Sequence, residues 1–131
     1  MTSSLIPRGF QLAGLMNILG IPFFSLGFTN RYLTELYPEV FSTFGLIVII
    51  LWGLAYIAVA QSYLQVRTLI AVFAIEKLVY VISWVFWLMA HGAELPTIMA
   101  NSPITGMFYV IYGLNDLLFG LFFAWVAWRQ R

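Results

Sequence analysis

The chain has no cysteine, one histidine and only eleven charged residues in 131 positions, six basic and five acidic. Without thiols there is no disulfide exchange, thiolate nucleophile or thiolate metal site, and the redox compartment stays undetermined. The lone histidine, His91, has a single carboxylate nearby in Glu94, a poor ligand set, so neither a metal nor another cofactor is expected. A net charge of +1 offers no basic surface to a phosphate backbone, which argues against nucleic acid as a partner. Charged residues make up 8% of the chain, whereas a soluble domain carries about a quarter. No nucleophile triad, phosphate loop or dinucleotide fingerprint occurs.

What is present is apolar: 63% of the residues are hydrophobic and the mean hydropathy is +0.95. Such a chain belongs in a lipid bilayer. A crossing helix takes about 20 residues, so this length holds four spans and leaves no room for a soluble catalytic domain. Apolar stretches at 9–28, 41–64, 69–90 and 105–128 are the candidates. Lipid cannot satisfy backbone polar groups, and the alternating strands of a barrel are missing, so the spans are expected to be helices. The expectation is an all-α, polytopic membrane protein, one four-transmembrane-helix bundle over residues 1–131. The first eight residues show no small-residue cleavage site, and the first span itself is expected to serve as the targeting signal. Residues 29–40 read as a solvated outer loop because Pro38 interrupts the Glu35 and Glu39 pair; 65–68 read as a tight turn and 91–104 as a loop bounded by Gly92, Pro96 and Pro103.

In this arrangement Arg8, Arg67, Arg129 and Arg131 share one side, while Arg31 is alone on the other among Glu35, Glu39 and Glu94. Both termini are therefore expected in the cytoplasm. Trp125 and Trp128 at one end, and Trp84 and Trp87 at the other, fit interfacial anchors, whereas Trp52 falls near the middle of its span. Gly106, Gly113 and Gly120 recur every seven residues on the fourth span and drift only about 20° per step, forming a seam for close helix contact. Ala13, Gly14, Asn17 and Gly20 make a similar stripe on the first span, as do Gly53 and Ala60 on the second. Pro22 is expected to bend or open the first span.

Eight of the eleven charges lie in termini and connections; the other three are Glu76, Lys77 and Asp116. Each costs about 2.5–3.5 kcal/mol or more in hydrocarbon and should face the interior with a partner. All three fall near the midplane, as does Asn17. Tyr109, Tyr112 and Asp116 share one face of the fourth helix, and Glu76, Tyr80, Ser83 and Trp87 one face of the third. Lys77 is rotated by about 100° from Glu76, so Lys77 with Asp116 is the simplest ion pair and Glu76 is left to Tyr80, Asn17, Trp52 or a proton. Two carboxylates and one ammonium leave an excess negative charge, so one acid is expected to be protonated or to meet a cationic group.

The segments FAIEKLVYVISW and YGLNDLLFGLFFAWVAWRQR resemble those of small bacterial four-helix inner-membrane proteins without assigned activity, loosely grouped as DoxX-like. The resemblance implies a helical bundle in the bacterial cytoplasmic membrane and carries over no catalytic residue. A looser similarity is to bundles of the sterol-isomerase and sigma-2-receptor type, which enclose acids and aromatics.

Three functions remain open. The first is binding of a small amphiphile, a cation or a proton within an interior lined by Asn17, Trp52, Glu76, Lys77, Tyr80, Tyr112, Asn115 and Asp116. The second is an intramembrane enzyme acting on a lipid or isoprenoid, with Glu76 or Asp116 as acid or base and a lateral opening to lipid. The third is a structural or accessory subunit, paired with itself or with a membrane complex, whose polar residues fix helix register.

Overall fold

The computed structural model describes residues 2–130, with side chains described from residue 5; Arg131, counted above for orientation, lies outside the described residues. The chain is all-helical, and no strand occurs among the described residues. Helix α1 spans Thr2–Phe24, α2 Arg31–Leu36, α3 Pro38–Phe41, α4 Thr43–Val59, α5 Arg67–His91, α6 Leu95–Asn101 and α7 Pro103–Arg129. Short 3₁₀ segments, Ala60–Gln65 and Gly92–Glu94, continue α4 and precede α6. Three stretches are long and apolar enough to cross a membrane: Thr43–Gln65, Arg67–Asn101 and Pro103–Arg129. Helix α1 matches them in length at 23 residues, but Pro7, Arg8, Gln11 and Asn17 dilute its apolar content.

The first expected span, 9–28, is displaced. Helix α1 takes in Arg8 and begins at Thr2, and it stops at Phe24. Pro22 sits within its last turn, and Leu26, Gly27 and Phe28 then adopt positive φ values of 52°, 64° and 69°. A left-handed backbone is unfavourable for Leu and Phe, and local bonds hold it. The Gly27 amide donates to the Pro22 carbonyl at 2.8 Å and the Phe28 amide to Ser25 Oγ at 3.0 Å. Asn30 ties the turn to the rest of the molecule, its Nδ2 donating to the Phe24 carbonyl at 3.0 Å and to Thr105 Oγ1 at 2.9 Å.

The two connections expected as loops are largely helical. Pro38 does interrupt a helix, since it ends α2 and starts α3, where its missing amide costs nothing. Yet the segment is not simply solvated: Leu33 is buried, and the Tyr109 hydroxyl donates to its carbonyl at 2.7 Å. The Arg31–Glu35 pair, 3.9 Å apart, and Glu39 remain in the open. Likewise 91–104 forms α6, which starts at Leu95 and Pro96 and packs Ile98 inward.

Helices α5 and α7 run antiparallel in a tight register. Contacts step from Arg67 Nε on the Ala127 carbonyl through Phe73 on Phe123, Lys77 on Asp116 and Ser83 on Tyr112 to Trp87 stacked on Tyr109. The glycine seam makes this approach feasible. A Cβ at Gly106 would strike Met99, one at Gly113 would strike the Trp84 ring, and one at Gly120 would lie 3.0 Å from Lys77 Cβ. Trp84 and Trp87 are accordingly not interfacial anchors. Trp84 lies over Gly113 and donates to the Tyr109 carbonyl at 2.8 Å, and Trp87 is buried. Trp125 and Trp128 are exposed, and Trp125 carries the Arg129 guanidinium 4.8 Å over its ring.

Helix α1 lies along α4, with Gly14 and Gly53 each facing the other's backbone carbonyl. Two clusters close the ends. Ile6, Phe10, Tyr63, Phe73, Phe123 and Val126 gather near both ends of the chain; Leu33, Phe41, Trp87, Ile98, Phe108 and Tyr109 gather at the opposite end. The outer surface is Leu, Ile, Val and Phe, as hydrocarbon contact demands.

Gly14→Ala is expected to lower the unfolding midpoint of the protein in nanodiscs, because its Cβ must displace the Gly53 carbonyl, an overpacking worth about 1–3 kcal/mol. Gly20→Ala meets nothing within 4 Å and should hold or raise the midpoint, alanine being the better helix former by about 1 kcal/mol. Equal midpoints would show that the Gly14 contact does not secure α1.

Candidate functional site

Adjacent positions on α5 send Glu76 and Lys77 to different helices, as a rotation of about 100° per residue requires. Lys77 reaches α7, where its Nζ donates to Asp116 Oδ1 at 2.8 Å; the two side chains are 2% and 11% exposed. This is the pair expected from the sequence. Its geometry depends on Gly120, one turn further along α7, whose missing side chain lets the Lys77 stem lie against the helix. Asn115 Nδ2 adds a second donor to Asp116 Oδ1 at 3.3 Å.

Glu76 turns toward α4 instead, and Tyr56 donates its hydroxyl to Glu76 Oε1. The Tyr56 ring also lies 5.1 Å below the Lys77 ammonium, so one residue contacts both buried charges of α5. Phe73 and Phe123 hold that ring in place, each at 4.9 Å between centroids. Tyr56 is absent from the sequence-derived set of site residues. The signal that could have found it is its place three residues after Gly53 and four before Ala60, on the small-residue face of α4.

A cavity of about 340 Å³ adjoins these groups. Asn17, Glu76, Lys77, Tyr80, Tyr112, Asn115 and Asp116 all line it. Trp52 does not. It is half-buried and meets Phe73 edge-on at 6.1 Å, within the cluster nearer the chain ends. From the polar floor the cavity runs toward Phe24, Phe41 and Phe108. Phe41 and Phe108 contact the Tyr112 ring at 4.7 and 5.5 Å, making an aromatic wall.

The exposed residues on its rim are Leu12, Leu15, Met16 and Leu19, all from α1. Across from them stand the half-buried Ile111 and Asn115 of α7. Gly9 abuts Phe122 where the two helices meet, whereas Gly20 has no neighbour to fill the space beside it. The mouth therefore lies between α1 and α7 and opens past exposed apolar side chains. Asp116 also borders an apolar groove of about 240 Å³ between α5 and α7, lined by Leu78, Leu117 and Leu121 among others.

Asn17 and Tyr112 are fastened by the scaffold. Asn17 Nδ2 donates to the Ile49 carbonyl at 2.9 Å. Ser83 Oγ donates to the Tyr80 carbonyl at 2.7 Å, so the 3.2 Å contact between Ser83 Oγ and the Tyr112 hydroxyl has Tyr112 as donor. Among the described residues no three His, Asp or Glu side chains converge as metal ligands. His91 and Glu94 form a lone exposed pair at 3.0 Å.

No protein-family model, no curated protein and no solved structure matches this chain.

Lys77→Met should destabilise the protein by about 3–5 kcal/mol, because Asp116 is left buried without its cation. The double variant Lys77→Met with Asp116→Leu should recover much of that loss. Denaturant titration in mixed micelles measures both, and losses that simply add would show that the two residues do not act as a pair.

Proposed function

We propose that this chain is a four-helix transmembrane bundle that takes a small amphiphilic or cationic molecule from the bilayer into an intramembrane site. The observation that carries the reading is the half-open cavity, apolar and aromatic along its length, whose floor holds Glu76, Lys77 and Asp116. Polar groups at this depth are costly, and ligand sites in general combine an apolar lining with a few fixed polar groups. In this reading α1 is the fourth span. Its contact with α4 and its place as one lip of the mouth support that assignment. The gathering of Arg8, Arg67 and Arg129 toward one side supports cytoplasmic termini in a bacterial inner membrane.

A purely structural role calls for an interior packed without a cavity, and the cavity speaks against it. The lateral mouth favours a second reading, acid or base chemistry by Glu76 on a lipid or isoprenoid, since such a substrate could approach the carboxyl from hydrocarbon. The binding reading is preferred because Lys77 and Asp116 are held in a bond with each other and so offer Glu76 no acid–base partner.

Filling the cavity tests the proposal. Gly20→Phe places a ring in open space beside the mouth, and the folded variant should lose the saturable rise in unfolding temperature that C10 amphiphiles give the native protein in nanodiscs. A native protein that shows no saturable rise, or a variant that keeps it, would refute the site.

A further inference from the structure

Several donors of the cavity floor are turned toward protein, while two of its acceptors have no donor. The Tyr56 hydroxyl donates to Glu76, the Tyr112 hydroxyl to Ser83, one Asn17 amide N–H to Ile49, and the Lys77 ammonium to Asp116. Each of these bonds orients a donor toward protein. Among the described residues, by contrast, neither the second carboxylate oxygen of Glu76 nor the amide oxygen of Asn17 accepts a hydrogen bond from a neighbour. Both residues line the cavity and both are more than nine-tenths buried. Both oxygens open to the cavity rather than to packed protein, and an acceptor without a donor in an apolar cavity is costly, an ionised one more so. A molecule that donates hydrogen bonds would satisfy both acceptors.

Charge gives the same answer from a separate count. Lys77 and Asp116 neutralise each other at 2.8 Å. Glu76 has a neutral phenol as its hydrogen-bond partner, so the ionised floor carries one uncompensated negative charge. A neutral donor such as an alcohol would meet the hydrogen-bonding need and leave that charge; a carboxylate would add to it. An ammonium meets both needs, and its compact tetrahedral donors can serve Glu76 and Asn17 together.

Resting on the binding function proposed above, we infer that the cavity selects hydrophobic amines in their protonated form, with Glu76 as the counter-ion and Asn17 as a second acceptor. The apolar body of the ligand lies toward Phe24, Phe41 and Phe108. On α7 the distance from Asp116 to Phe108 is eight residues, about 12 Å along the axis, which suits an unbranched chain of middle length or one ring system. The Lys77–Asp116 pair takes no part in recognition. It sets the positions of α5 and α7, and so of Glu76.

Three probes of one chain length decide the matter: decylamine, decanol and decanoate, titrated into the full-length protein in nanodiscs. Binding is read from the shift in unfolding temperature and from equilibrium dialysis, each corrected for partition into protein-free nanodiscs. The native protein should hold decylamine about tenfold or more tighter than decanol, the size of a charge-assisted bond gained, and should hold decanoate weakest. Glu76→Gln should remove the preference for decylamine over decanol while still binding both. The order among the three probes on the native protein needs no variant, so the inference stays open to refutation should Glu76→Gln fail to fold. Decanol equal to or tighter than decylamine would overturn the amine selectivity and leave the cavity a binding site. A Glu76→Gln protein that still prefers decylamine would overturn the role of Glu76. Saturable binding of none of the three would overturn the binding function itself.

Discussion

The buried Lys77 ammonium is the constraint around which the interior is arranged. A full charge at that depth needs an opposite charge within hydrogen-bonding distance, and Asp116 supplies it at 2.8 Å. For the two to meet, α5 and α7 must lie close and in one register. Gly113 and Gly120 permit the closeness, since the first admits Trp84 and the second the Lys77 stem. The aromatic contacts on either side, Phe73 with Phe123 and Trp87 with Tyr109, then lock the register at both ends. Packing and electrostatics support the same alignment of the two helices, which is the consistency expected of a well-specified fold.

The ion pair also determines what is left over. With Lys77 committed to α7, Glu76 projects toward α4 and finds only the phenol of Tyr56. The closed aromatic cluster near the chain ends and the buried outer connections shut both ends of the interior. Between them α1 touches α7 at Gly9 and Phe122, while further along no side chain fills the space beside Gly20. A cavity with an acidic floor and a mouth between α1 and α7 is the outcome. The polar residues that a membrane protein can least easily accommodate thus border the 340 Å³ cavity.

Much of this was legible in the residues themselves. The apolar runs located α5 and α7 to within about two residues, because a helix in lipid has few alternatives. The seven-residue glycine spacing marked the contact face of α7, and the 100° between Glu76 and Lys77 singled out Asp116 as the partner of Lys77. Other features were not legible. Tyr56 looks like any aromatic in an apolar run until α4 is placed beside α5. Trp84 and Trp87 have the composition of interfacial anchors, yet one covers a glycine and the other stacks on Tyr109. The connections at 29–40 and 91–104 have the proline and glycine of loops. They are helical because Pro38 and Pro96 fall at first turns, where a missing amide is no loss.

By itself the sequence determined the solvent of this protein, its helical character and the identity of the three charges that need explanation. Those properties follow from local composition and from the fixed geometry of a single helix. The tertiary structure alone decided that Glu76 pairs with Tyr56, that Trp52 stands away from the site, and that a cavity opens between α1 and α7. Each of these depends on the separation of helices distant in sequence. That separation is set by where side chains are missing, at Gly14, Gly53, Gly113 and Gly120, as much as by where they are present.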